Sequence, residues 1–263
     1  MQTILDLTDR FPLRFDVERM KDDLRRLEDG EWLAHYDKQI SNGWTAIPLV
    51  SQDGSLAGPD AQRLGTCGRY KRTPVVDRLP YFRAILDAFD CPQGRVRISR
   101  LLPHSIIRPH RDICGEAASV VFDQVRLHIP IITNHQVVFI VGRQSLRLRP
   151  GRLYYIDFTK RHWVLNDGNE PRVHLILDLT LNDFLRELFP PLTRTEQLQK
   201  AVLRWTLPVV WPLFRVTFAL SQHLMPAQSL NPRGAEAARP LDTAEGVNSG
   251  EIRQDHSSRA IES

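Results

Sequence analysis

From residue 95 onward the chain alternates. Arg95-Val96-Arg97-Ile98-Ser99-Arg100-Leu101 switches between polar and apolar at nearly every step, and Val125-Arg126-Leu127-His128-Ile129 does the same before running apolar to Ile132. A period of two puts successive side chains on opposite faces of a strand, so each run predicts a strand with one face buried and one face polar. Further strands are predicted over 136–141, 145–149, 152–158 and 172–179. Between them lie Thr133-Asn134, Gly142, Pro150-Gly151 and Asn166-Asp167-Gly168-Asn169, residues that turn a chain. Upstream, Met20, Leu24 and Leu27 have helical spacing over 17–27, and 43–49 reads as a short strand. Pro80 opens a helix over 81–89 with Phe82, Ile85, Leu86 and Phe89 on one side. After Leu179 the pattern turns helical again, over 182–188 and from Glu196 towards Leu207, the latter capped by Thr193 or Thr195. Many short strands flanked by helices predict a mainly β fold with flanking helices, a double-sheeted jelly roll.

Breaks in this pattern divide the 263 residues. Residues 1–94 supply mixed elements that pack on a core, 95–180 form the jelly roll, and 181–228 form a helical extension. Residues 229–263, small and charged with few aromatics, read as a disordered tail. The stretch from Trp205 to Leu220 is apolar but carries Pro208, Pro212 and Arg215. It falls short of the roughly 20 residues a spanning helix needs. A kinked surface helix is the preferred reading over an interfacial membrane contact.

Charge and cysteines narrow the class. The net charge is +4, and the tail from Ser229 to Ser263 holds four Arg against six Asp plus Glu, a net −2 that leaves +6 upstream. So modest and scattered an excess excludes a nucleic-acid partner, which calls for a clustered basic face; a basic pocket for anionic cosubstrates accounts for part of it. Cys67, Cys91 and Cys114 form no CxxC pair and are odd in number, which points to reduced thiols in a cytoplasmic protein. The first residues carry charges within their apolar patch, unlike a signal peptide.

The candidate chemistry lies at His110-Arg111-Asp112, with His162 fifty residues after Asp112. On an extended strand His110 and Asp112 point one way and Arg111 the other. Two imidazoles and a carboxylate can occupy one face of an octahedral metal and leave positions open, an arrangement suited to non-haem Fe(II). Arg172 follows His162 by ten residues, and a guanidinium grips a carboxylate bidentately.

The block from Arg95 to Asp178 resembles the aspartyl/asparaginyl β-hydroxylase family of Fe(II)/2-oxoglutarate-dependent dioxygenases. The resemblance is carried by Arg108-Pro109-His110-Arg111-Asp112, Arg126-Leu127-His128-Ile129-Pro130, Gly151-Arg152-Leu153-Tyr154-Tyr155-Ile156-Asp157, His162 with Asn166, and Arg172-Val173-His174-Leu175-Ile176-Leu177-Asp178. It implies a double-stranded β-helix of the cupin-like type, with iron on His110, Asp112 and His162. It further implies that Arg172 pairs with the distal carboxylate of 2-oxoglutarate, and that Arg126, His128 and Ser99 help to hold that cosubstrate. Asp112 matches the full triad of the bacterial branch, whose members include hydroxylases of free amino acids such as proline. The activity so implied is hydroxylation of an amino-acid side chain, free or in a peptide, with O₂ consumed and succinate and CO₂ released.

Other readings stand beside these. His128 and His174 also fit core histidines bonded to backbone, the preferred reading for His174, and a strand Ser such as Ser99 can simply satisfy backbone. Asp178 ends a strand and can cap the next turn or helix, and His35, His104, His135, His223 and His256 read as surface residues. Arg100, Arg108, Arg111, Lys160 and Arg161 are either solvated rim charges or a basic mouth for an acidic substrate. Three other readings are a lipid acyl-chain hydroxylase of the same family, a cupin-like metal-binding or sensor protein without turnover, and a structural β-domain with no metal.

Overall fold

The alternating strands assemble into two antiparallel sheets. The computed structural model describes residues 3–35, 39–57, 69–112, 124–191 and, further on, 193–195, 197–198, 201–202 and 205–206. In chain order the elements are β1 (Ile4–Asp6), α1 (Val17–Leu24), β2 (Leu33–Ala34), β3 (Trp44–Gln52), β4 (Tyr70–Arg72), α2 (Pro80–Asp87), β5 (Gln93–Leu101) and β6 (Ser105–His110). There follow β7 (Gln124–Ile132), β8 (Val137–Val141), β9 (Gln144–Leu146), β10 (Tyr154–Ile156), β11 (His162–Asn166), β12 (Arg172–Thr180) and α3 (Asp183–Leu188). The major sheet runs β1-β10-β7-β12-β5-β3-β2 with β4 joined to β3, and the minor sheet runs β6-β11-β8-β9. This is the expected jelly roll, with helices on the outer face of the larger sheet.

Register decides what each face carries. His174 lies opposite Ser99, Ile176 opposite Arg97 and His128, and Asp178 opposite Arg126. Partners on adjacent strands share a face, so one face of the major sheet presents Arg97, Ser99, Arg126, His128, Arg172, His174 and Asp178. The other presents Val96, Ile98, Leu127, Ile129, Leu175 and Leu177 to a core completed by Met20, Phe82, Ile85, Leu86 and Leu185 from the helices. A second core, with Leu101, Ile107, Phe139, Val141, Tyr154, Ile156, Phe158 and Val164, fills the space between the sheets.

The alternation of β5 predicts a half-buried strand, and here the structure differs. Arg95 and Arg97 are buried along with Val96 and Ile98, because the polar face meets a buried carboxylate, Asp178, instead of water. Gly94 makes the approach feasible: a Cβ there would lie 2.9 Å from the Asp178 carbonyl oxygen, opposite a register shift between Leu177 and Leu179.

The helical layer is held by a cap that crosses between helices. No side chain of its own caps α2, which begins at Pro80. Its first free N–H groups, those of Tyr81 and Phe82, instead donate to Oδ2 of Asp23 on α1, at 2.8 and 3.0 Å. In return the Tyr81 hydroxyl accepts from the backbone N–H of Asp16, the residue that caps α1. Such charge-assisted bonds satisfy donors that the helix geometry leaves over.

Several expectations shift in extent. Residues 162–166, not expected as a strand, form β11 inside the minor sheet, between β6 and β8. The helix over 182–188 appears as α3 with Asn182 as its N-cap, the side chain accepting from Leu185 N–H. Residues 194–195, 197–198, 201–202 and 205–206 are helical as expected. Trp205, expected to pack as part of a surface helix, is 83% exposed, and Leu198 and Val202 are exposed with it. Most of 205–220 and all of the tail from 229 lie outside the described residues, as do Cys67 and Cys114; Cys91 is a free thiol that burial pushes up to about 12. Among the described residues, no helix is long and apolar enough to cross a membrane.

Candidate metal centre and cosubstrate site

His110 closes β6 and His162 opens β11, and the two are direct cross-strand partners. Their rings therefore emerge on one face, with centroids 4.2 Å apart. The strand ends at His110, so Asp112 is not the next inward residue of β6 as expected. It is held just past the strand by its backbone N–H, which donates to the Phe158 carbonyl at 3.0 Å. One ligand atom from each of His110, Asp112 and His162 lies within 4.8 Å of the others.

Hydrogen bonds set the tautomers. Nδ1 of His110 lies 2.7 Å from the Arg108 carbonyl, and Nδ1 of His162 lies 3.0 Å from the Lys160 carbonyl. A carbonyl only accepts, so each Nδ1 carries the proton and each Nε2 keeps its lone pair. Burial pushes His162 down to about 4 against the pull of Asp112, which keeps that ring neutral at physiological pH. Burial would raise the Asp112 carboxyl, but Arg126 foremost, then His162 and His110, hold it below the usual carboxylate range. Two imidazoles that bond backbone through Nδ1 and leave Nε2 free, with an ionised carboxylate, are a donor set for a divalent transition metal.

Beside this triad lies a buried ionic cluster. Arg126 donates from Nε and Nη2 to the two oxygens of Asp178, at 2.5 and 3.2 Å, and its Nη1 pairs with Oδ2 of Asp112. Arg95 donates to Asp178 at 3.0 Å, and Arg97 reaches it at 3.5 Å. Burial would raise the Asp178 carboxyl; the three guanidinium groups, Arg126 first, reverse that and hold it low.

Further along the same face of β12, Arg172 is buried, with Nη2 3.0 Å from Nδ1 of His174 and its guanidinium 5.2 Å from the Phe139 ring centroid. Burial pushes Arg172 down to about 9, so it stays charged at neutral pH. His174 is held well below the usual imidazole value, by burial first and Arg172 next, and so can accept from that guanidinium. A cavity here is lined by Asn134, Val137, Phe139, Leu148, Arg172 and His174, among others. His128, on β7, is buried with neither ring nitrogen hydrogen-bonded among the described residues, an arrangement that calls for a polar ligand. Ser99 is buried, and its hydroxyl accepts from the Trp44 indole N–H at 2.7 Å.

All seven residues singled out from the sequence thus lie in or beside the space between the sheets. The preferred reading of His174 as a backbone-bonded core residue is corrected by its bond to Arg172. Asp178 is not a cap but the centre of the arginine cluster. His35 is half-buried and stacks on Trp44 at 4.1 Å. Of the basic rim, Arg100 packs over Trp32 and donates to Thr45, while Lys160 donates to Thr3; neither is a free surface charge.

The chain is similar to the L-proline cis-4-hydroxylase of Rhizobium meliloti (strain 1021), 26% identical over 192 residues covering 69% of this chain and 65% of that protein. It is also similar to L-proline cis-3-hydroxylase 2 of Streptomyces sp, 23% identical over 173 residues covering 65% and 59%. The chain thus spans less than two thirds of the length of either relative. Among solved structures, an oxidoreductase of the 2OG-Fe(II) oxygenase family from Burkholderia pseudomallei aligns at a TM-score of 0.40 and 16% identity, over 62% of this chain and 77% of that one. The aspartyl/asparaginyl β-hydroxylase profile matches residues 14–181. Because that match extends from before α1 to the residue after β12, taking in both sheets' facing strands, the chain belongs to the aspartyl/asparaginyl β-hydroxylase family.

Proposed function

We propose that the protein is an Fe(II)- and 2-oxoglutarate-dependent dioxygenase that hydroxylates an amino-acid side chain, with a small amino acid as the favoured substrate. The observation that carries this reading is the convergence of ligand atoms from His110, Asp112 and His162 within 4.8 Å, in the same inter-sheet space as the buried cation Arg172. A passive metal-binding protein has no need for a guanidinium aimed at a dicarboxylate. The two relatives named as proline hydroxylases support the substrate class.

The residues present fit both groups. His110 and His162 offer Nε2 lone pairs, and Asp112 offers an anionic oxygen. For the cosubstrate, Arg172 has no carboxylate in ion-pair range among the described residues, so it is a buried cation that the distal carboxylate of 2-oxoglutarate would satisfy. His128 supplies an unpaired polar ring to the same ligand, and Phe139 and Phe158 keep the space apolar and exclude water. When bound, iron would supply the oxidising chemistry for hydroxylating an unactivated C–H bond, with O₂ and 2-oxoglutarate consumed and succinate and CO₂ released.

The test is succinate release by the protein with Fe(II) and 2-oxoglutarate, assayed against a panel of amino acids, peptides and lipids. His110→Ala and His162→Ala should abolish iron binding and succinate release; persistence of both in both variants overturns the assignment. A lipid substrate is the second reading, favoured by the exposed Leu198, Val202 and Trp205. Turnover confined to the lipid arm, with co-sedimentation on anionic vesicles, would replace the amino-acid reading.

A further inference from the structure

The Asp178–Arg126 pair is built unlike an ion pair that merely neutralises charge. Arg126 presents the side of its guanidinium, Nε and Nη2, to the two oxygens of Asp178 at 2.5 and 3.2 Å. A two-point contact of this kind fixes the plane of the guanidinium as well as its position. With that plane fixed, Nη1 points at Asp112, and it engages Oδ2. The other oxygen of Asp112, Oδ1, faces the histidines, 3.6 Å from His110 Nε2. The two oxygens of one carboxylate are thereby given different tasks.

We infer that Asp178 is a positioning residue for the metal centre: through Arg126 it occupies one oxygen of Asp112 and reserves the other as a single-oxygen ligand. This rests on the reading of His110, Asp112 and His162 as metal ligands, and it goes further by giving Arg126 a task at the metal carboxylate. A carboxylate free to rotate at the end of a strand can offer both oxygens to a metal and take up a position needed by other ligands. Here the backbone N–H of Asp112 is tied to Phe158, which fixes the main chain, and Arg126 fixes the side-chain torsion. Arg95 and Arg97 complete the device. They approach Asp178 from β5 at 3.0 and 3.5 Å, so the carboxylate that orients Arg126 is itself held from the opposite side. The residue is nearly solvent-free, 3% exposed, and water therefore competes little for its oxygens. Partners beyond the ligand shell typically alter metal affinity by roughly 10–100-fold when removed.

The experiment is Co(II) titration of the full-length metal-free chain, read by the visible absorption of the bound ion, which reports coordination number and geometry. Wild type, Asp178→Asn, Arg126→Lys, Asp112→Ala and the double variant Asp178→Asn/Asp112→Ala are compared, with circular dichroism to check folding. Asp178→Asn is expected to weaken Co(II) binding about tenfold or more and to change the spectrum at saturation, because an amide cannot accept both bonds of the guanidinium fork. In the Asp112→Ala background, with no carboxylate left to orient, the same substitution should change affinity by less than about twofold. Equal losses in the two backgrounds, or a folded Asp178→Asn protein with the wild-type spectrum and affinity, overturn the inference. If Asp178→Asn does not fold, Arg126→Lys decides: it keeps the charge and loses the fork, so a changed spectrum supports the inference and an unchanged one overturns it. Failure of the wild-type chain to bind Co(II) overturns the metal reading itself and is recognised by appearing without any substitution.

Discussion

Replacing Arg172 by Leu should separate stability from cosubstrate binding in opposite directions. The residue is 3% exposed, its neighbours are the His174 ring nitrogen and the Phe139 ring, and burial pushes it down to about 9. The guanidinium is thus stripped of solvent with no carboxylate in ion-pair range among the described residues to offset the loss. Exchanging a buried ion for an apolar residue of similar volume recovers part of such a cost, commonly about 1–4 kcal/mol. Arg172→Leu is therefore expected to unfold at higher urea concentration than wild type, by about 1–3 kcal/mol, even though it deletes a hydrogen bond. For 2-oxoglutarate the sign reverses. Loss of one side of a buried charge-assisted pair costs about 2–5 kcal/mol, or roughly 30-fold to several thousand-fold in Kd. Calorimetric titration of 2-oxoglutarate into the Mn(II)-loaded protein under anaerobic conditions measures this without turnover, and Mn(II) affinity itself should stay near wild type. A variant that binds 2-oxoglutarate within about threefold of wild type refutes the role of Arg172. One that is destabilised by several kcal/mol refutes the account of its burial.

Two more outcomes are set by the buried groups. Burial holds His128 and His174 well below 6.5, and His162 at about 4, so the native state excludes protons that the unfolded chain takes up as pH falls below 6.5. Stability is then complete above that pH and declines below it; urea denaturation of the metal-free protein giving equal stability at pH 7 and 5 contradicts this. Asp23→Ala strips the cap from Tyr81 and Phe82 N–H and should cost about 2–4 kcal/mol, with Co(II) affinity unchanged; a loss below about 0.5 kcal/mol would show that those donors find other partners.

Strands are legible in the sequence wherever apolar residues alternate over several positions, as in β5, β7 and β12. β11 is not, since His162-Trp163-Val164-Leu165-Asn166 is short and its outward Trp163 and Leu165 are themselves half-buried, which masks the alternation. His110, Asp112, His162 and Arg172 stand out through residue type and order. The joint role of Asp178, Arg95 and Arg97 does not, because a strand arginine looks the same in sequence whether it meets water or a carboxylate. Here the carboxylate lies far downstream on β12, with Arg97 and Asp178 separated by 81 positions. The bond of His174 is hidden for a related reason: its partner is two residues away on the same face, a contact that alternation implies but does not identify.

The place of β12 in the major sheet has a consequence for how the chain folds as it is synthesised. β3 and β5 can pair early, and β7 can pair with β10 once residue 156 is made, but β12 lies between β5 and β7. Without it, β5 and β7 would each present an open edge, one strand bearing Arg95 and Arg97 and the other Arg126. Like charges on the two edges oppose a direct and incorrect union of β5 with β7. Arrival of β12 brings Asp178 opposite Arg126 and within reach of both arginines of β5. The last strand of the sheet thus carries the counter-charge that makes the correct closure favourable, and the repulsion that guards the open edges becomes attraction only in the right strand order.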